Sequence, residues 1–176
     1  ESLLGVINDI LSLARIEAGK HQVALAPCSV DSTVRDAARM LEGLASARGV
    51  QIVVKREHLW VEALADATAL RQCLINLISN ALKFTQEGSV RLEVERGFGQ
   101  IHVRVVDTGL GIRPEDQAKL FQKFVQAEGG HARSFGGTGL GLVICKHLME
   151  MMGGTIALHS EGLGKGTTLS LTVPIA

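Results

Sequence analysis

Asn76, Asn80 and Lys83 are the residues whose types and spacing most invite a chemical reading. At about 100° per residue of α-helix they fall within roughly 60° of one another. Two carboxamides and one ammonium thus share a helix face, offering amide donors and acceptors and a positive charge. Leu70, Leu74, Leu77, Ile78 and Ala81 fill a neighbouring arc that should face a core. Taken alone, the polar face reads equally well as the solvated side of an amphipathic helix.

Three glycine clusters bear on that choice. Asp107-Thr108-Gly109-Leu110-Gly111 follows an apolar run that reads as a strand. An aspartate there is either a turn initiator or a carboxylate at the rim of an apolar slot. In the second role it accepts a hydrogen bond from an exocyclic amine, a charge-assisted bond of about 1.5–3 kcal/mol, while Gly109 and Gly111 let a flat base approach the backbone. Gly136-Gly137-Thr138-Gly139-Leu140-Gly141-Leu142 leads into a helix. Free N–H groups and the helix dipole at such a start favour an anion, so phosphate is the preferred guest over a bare hinge. Residues 121–135 ahead of it are then expected to form a mobile lid. Gly162-Leu163-Gly164-Lys165-Gly166-Thr167 reads first as a tight hairpin connection, with Thr167 able to support a base near Asp107. Neither a Walker A loop nor a dinucleotide fingerprint fits: Gly164-Lys165 is followed by Gly166, and the paired glycines 109/111 and 139/141 are followed by Pro114 and Ile144 where a third glycine is needed.

The elements that must position these residues can be taken in order. Residues 1–18 read as a helix with Leu3, Ile7, Ile10 and Ala14 spaced four, three and four apart, a seam in search of a partner, stopped by Gly19. A short strand is expected over 21–26, closed by Pro27, then a helix capped by Asp31 or Ser32 and ending near Arg48. Strands are expected over 50–55 and 60–64, the Asn-bearing helix capped by Asp66 or Thr68, a hairpin of 90–96 with 101–106 around Gly97-Phe98-Gly99, a helix over 140–152, and strands over 155–159 and 167–173. Strands cluster instead of alternating with helices, so the class is α+β: a two-layer α/β sandwich, its mixed, mainly antiparallel sheet covered by helices on one face.

Composition narrows the function classes. Hydrophobic residues make up 46% of the 176 and aromatics 3%, so the core must be aliphatic. Lys plus Arg and Asp plus Glu balance at 18 each, leaving no broad basic field for nucleic acid or an anionic membrane. Cys28, Cys73 and Cys145 are odd in number and lack a Cys-x-x-Cys pair, which argues against a disulfide framework or zinc site and for a reducing, cytoplasmic setting. With no run of eighteen apolar residues, no direct membrane contact is expected of this segment.

As an ordered set the motifs resemble the catalytic ATP-binding domain of sensor histidine kinases, in the superfamily shared with gyrase, chaperone and MutL ATPases, with wording closest to bacterial hybrid kinases. Asn76-Leu77-Ile78-Ser79-Asn80-Ala81-Leu82-Lys83-Phe84-Thr85 is similar to the N box. Asp107 to Gly111 resembles the first glycine box, Phe121-Gln122-Lys123-Phe124 the F box, and Gly137 to Leu142 and Gly164 to Thr167 further glycine boxes. Residues 1–20 resemble the end of the second dimerisation and phosphotransfer helix, and 21–176 the catalytic domain. The resemblance implies ATP and Mg²⁺ as cofactors, with Asn80 as the metal ligand. Asn76 and Lys83 would act around metal and phosphates, and Asp107 would bind the adenine amine. Gly109, Gly111, Gly137, Thr138, Gly139, Leu140, Gly141, Leu142 and Thr167 would line the nucleotide. Lys123 and Arg133 read either as further lid cations that could reach the γ-phosphate or as solvated loop residues. Implied partners are the histidine-bearing phosphotransfer helix and a response-regulator receiver domain, in a full-length homodimer.

Two departures shape the functional expectation. None of His21, His58, His102, His131, His147 or His159 stands in the family's acceptor motif, so the segment should bind ATP without phosphorylating itself. Asn76 stands where the hydrolase relatives carry a glutamate base, and an amide cannot take a proton from water. Phosphoryl transfer to a histidine outside the segment is therefore expected ahead of ATP hydrolysis or a non-catalytic nucleotide-binding or docking role.

Overall fold

The computed structural model describes residues 3–55, 61–125 and 138–176. Their order is α1 (Leu3–Glu17), β1 (Ala26–Ser29), α2 (Val30–Ala47), β2 (Val50–Lys55), β3 (Glu62–Ala65), α3 (Ala67–Phe84), β4 (Gly88–Arg96), β5 (Gln100–Asp107), α4 (Pro114–Gln117) with a 3-10 turn (Ala118–Phe121), α5 (Gly141–Met151), β6 (Thr155–His159) and β7 (Thr167–Pro174). Five strands form one sheet in the order β2-β4-β5-β7-β6, with only β2 and β4 parallel; β1 and β3 make a separate antiparallel pair. Helices α2, α3 and α5 pack on this sheet. The expected two-layer α+β sandwich is the observed one.

Period-2 alternation aims the site. Ile101, Val103 and Val105 on β5, and Leu169, Leu171 and Val173 on β7, are buried beneath the helices. Asp107 and Thr167 continue those two inward parities at the strand ends, so the pleat points both side chains into the helical layer. The opposite face of the sheet is polar, with Glu93 held by Lys55 and Arg91. Although partial burial works to raise the Glu93 pKa, those two cations hold its carboxyl below the usual range.

Helix α3 is seated by Leu70, Leu74, Leu77, Ile78 and Leu82, none of them measurably exposed, each burial contributing about 1.5–3 kcal/mol. That seating leaves Asn76, Asn80 and Lys83 on a half-buried flank. Asp66 caps the helix: its Oδ1 accepts the N–H groups of Thr68 and Ala69, and its Oδ2 accepts that of Ala24. Burial opposes the charge, but the three donors hold the Asp66 carboxyl below its ordinary pKa.

Several local expectations are corrected. The first strand runs over Ala26–Ser29, across Pro27, because a two-stranded ribbon lets a residue without an N–H sit at its edge. The cap of α2 is Ser29, whose Oγ accepts from the Ser32 N–H, in place of Asp31 or Ser32; helix follows strand with no intervening loop. The third strand lies at Glu62–Ala65, and Trp60 falls outside the described residues. Of the expected lid, residues 126–135 are likewise outside them, as are Gly136, Gly137, Arg133, His58 and His131. Helix α1 turns Leu13 inward and leaves Ile7, Ile10 and Leu11 exposed.

Candidate nucleotide site

Three loops and two helices converge at the β5–β7 end of the sheet. The first glycine cluster is fastened to the C-terminal end of α3: the Leu110 N–H donates to the Phe84 carbonyl at 3.1 Å, and a Cβ on Gly109 would collide with that same oxygen. Glycine is required there by close approach. The third cluster closes onto the first through Gly164 N–H to the Leu110 carbonyl (2.7 Å) and Gly166 N–H to the Gly109 carbonyl (3.1 Å).

Asp107 sits at this junction, 7% exposed. The N–H groups of Gly109 (2.8 Å) and Thr167 (3.1 Å) both donate to its Oδ1. Its Oδ2 has no hydrogen-bond partner among the described residues and remains available to an incoming donor. Burial pushes the Asp107 carboxyl above its ordinary pKa, against the pull of those two N–H groups.

On α3, the Asn76 Nδ2 donates to the Cys145 Sγ on α5 at 3.3 Å, and the Asn76 amide lies so close to Gly141 that a Cβ there would stand 2.5 Å from its Oδ1. Asn76 is thereby held against the start of α5. One turn on, the Asn80 side chain has no hydrogen-bond partner among the described residues. The Lys83 ammonium lies 5.2 Å from the centre of the Phe84 ring, a cation–π contact. A free amide oxygen beside a lysine suits a hard cation that takes most of its ligands from phosphate and water. No group of three or more His, Cys, Asp or Glu side chains able to hold a metal occurs among the described residues.

Residues 138–140 lead directly into α5. Leu140 is the N-cap of α5 and supplies no side-chain acceptor, so the first N–H groups of the helix, at Gly141 and beyond, are open. Thr138 Oγ accepts the Leu140 N–H at 3.2 Å and donates to Asp9 of α1 at 3.1 Å. Gly139, with φ +68°, packs against the backbone of Phe124. Leu142 is half-buried on the first turn of α5. Lys123, expected as a lid cation, instead pairs with Glu17 of α1, because its segment packs beside that helix.

Two features escaped the sequence reading. Cys73 and Cys145, 72 positions apart, meet in the core, each thiol within 4.0 Å of the other's carbonyl oxygen. The contact with Cys145, together with burial, pushes the Cys73 thiol strongly upward. The second feature is a Gln117–Ser160 link behind the glycine loops. All three cysteines are free thiols.

Comparison with known proteins matches this architecture. Residues 65–176 match the family described as histidine kinase-, DNA gyrase B- and HSP90-like ATPase. The autoinducer 2 sensor kinase/phosphatase LuxQ of Vibrio harveyi is 39% identical over 182 residues, covering 99% of this chain and 21% of that protein. The non-motile and phage-resistance protein of Caulobacter vibrioides is 41% identical over 180 residues, with the same shares. Full-length ShkA, solved in complex with AMPPNP, superposes with a TM-score of 0.88 at 34% identity, covering 99% of this chain and 36% of that one. The chain thus spans about a fifth of the length of these two curated relatives.

Proposed function

The chain belongs to the histidine kinase-, DNA gyrase B- and HSP90-like ATPases and carries the catalytic ATP-binding domain of sensor histidine kinases, and from that premise we propose how its residues divide the work. Asp107 reads the purine: with Oδ1 held by two backbone donors, Oδ2 accepts the adenine amine. This carboxylate is the observation that carries the reading. The open N–H groups at the start of α5 receive phosphate oxygens, and Lys83 adds positive charge. Asn80 would hold Mg²⁺, which would supply positive charge to offset that of the triphosphate. Asn76 keeps α5 in place against α3.

The whole protein then transfers the γ-phosphoryl group to a histidine outside these residues, by positioning and charge neutralisation more than by acid–base chemistry. Asn76 is no base for water: it is an amide, and its Nδ2 is engaged with Cys145. That favours transfer over hydrolysis. Residues 1–20 form the end of the second dimerisation and phosphotransfer helix, their exposed Ile7, Ile10 and Leu11 facing the rest of a helical bundle in a cytoplasmic homodimer; a receiver domain takes the phosphoryl group onward. No helix among the described residues is long and apolar enough to cross a membrane.

The test is incubation of the chain with γ-labelled ATP and a separate histidine-bearing phosphotransfer domain. Label on the histidine supports the kinase reading. Steady phosphate release without that domain would support the hydrolase, and nucleotide binding with neither would support a docking module.

A further inference from the structure

We infer that Ser160, clamped by Gln117, is a positioning residue for base recognition, acting on Asp107 through one peptide unit. The inference rests on the reading of Asp107 as acceptor of the adenine amine. Ser160 is 5% exposed and follows directly after β6. Its hydroxyl donates to the Gly166 carbonyl at 2.7 Å and accepts the N–H of Ile112 at 3.0 Å. The Gly166 carbonyl and the Thr167 N–H belong to the same planar peptide, and that N–H donates to Asp107 Oδ1. A hydrogen bond on the carbonyl side both fixes the plane of this peptide and strengthens its N–H as a donor. At the other end, Ile112 N–H ties the exit of the first glycine cluster, which supplies the second Oδ1 donor at Gly109, to the same hydroxyl. One oxygen thereby sets both donors that orient the carboxylate.

Gln117 supplies the clamp. Its Oε1 accepts the Ser160 N–H at 3.2 Å and its Nε2 donates to the Ser160 carbonyl at 2.7 Å, a two-point grip like that between paired strands; Nε2 also lies 3.3 Å from the Ile112 carbonyl. Gln117 is the last residue of α4 and adjoins the turn that leads to Phe121. The Ser160 backbone and the Ala118–Phe121 turn are thus fastened at one residue.

The experiment measures the affinities of Mg·ATP and Mg·ITP, which lacks the exocyclic amine, for the parent chain, Ser160→Ala, Ser160→Thr and Gln117→Leu, with thermal denaturation alongside. Expected are a parent preference for ATP, a fall in the ATP/ITP ratio of about 3–10-fold in Ser160→Ala, a smaller fall in Gln117→Leu, and recovery of the ratio in Ser160→Thr. Equal losses for both nucleotides in Ser160→Ala, or a ratio within twofold of the parent, would overturn the inference and leave the Asp107 reading standing. Should Ser160→Ala not fold, a ratio in Gln117→Leu equal to the parent's would overturn it. A parent chain that binds ATP and ITP equally would overturn the Asp107 reading and this inference with it.

Discussion

Thr167 and Asp107 are direct register partners on β7 and β5, and the Thr167 N–H reaches past its own strand pairing to donate to Asp107 Oδ1 at 3.1 Å. The strand end is turned into a holder for a carboxylate. Burial disfavours the charged form at this position, and the Gly109 and Thr167 N–H groups offset only part of that cost, so a further donor bound to the carboxylate would lower it.

The sign of that cost can be measured. The folded Asp107 pKa is raised above the ordinary 3.8, so the native state holds its proton more tightly than the unfolded chain and stability falls as pH rises through the folded value. In Asp107→Asn that loss is absent. The melting temperatures of variant and parent without nucleotide should converge near pH 4 and separate in the variant's favour toward pH 7, by about 2–4 °C for each kcal/mol relieved. Thermal scans across that range check it; a variant less stable at pH 7 than at pH 4, relative to the parent, would contradict the burial argument.

Gly166 and Gly164 separate close approach from backbone conformation. Both have positive φ, +69° and +75°, but a Cβ on Gly166 would collide with the Asp107 carbonyl oxygen while one on Gly164 meets nothing within 4 Å. Gly164→Ala should cost about 1 kcal/mol for the left-handed conformation. Gly166→Ala should cost several times as much and loosen nucleotide binding, as read by urea denaturation and ATP titration.

Helix α1 should divide by face. Leu13 is buried and Ile10 is 48% exposed. Leu13→Ala is expected to destabilise the chain by about 2–4 kcal/mol, and Ile10→Ala by less than about 0.5 kcal/mol, in denaturant titrations. If α1 belongs to a dimerisation helix as proposed, the order should change in the full-length protein, where Ile10 would face a bundle.

Asn80 should act only with the metal present. Asn80→Ala is expected to weaken ATP binding about tenfold or more with Mg²⁺ and less than about twofold in EDTA. Equal losses in both conditions would remove Asn80 from the metal site.

What the sequence made legible is what local period and type decide. The two faces of α3, the inward run of β5 ending in Asp107 and the strand pair 155–159 with 167–173 each follow from a repeat of 3.6 or 2 within one element. Elements whose ends depend on pairing were misplaced: β1 crosses Pro27 because its partner β3 makes it an edge, and Ser29 takes the cap because strand and helix abut. Contacts between distant positions carry no local signal. Ser160 with Gln117 is separated by 43 residues, Asp9 with Thr138 by 129, and Lys123 with Glu17 by 106. Lys123 read as a phosphate cation because its charge is visible in sequence and its partner is not.

The central claim is tested most directly by calorimetric titration of the chain and its Asp107→Asn variant with Mg·ATP. One nucleotide per parent chain, and an affinity lower by about tenfold or more in a variant that remains folded, is the expected result. No binding by the parent, or equal affinity in both, would contradict the assignment of Asp107 to the base.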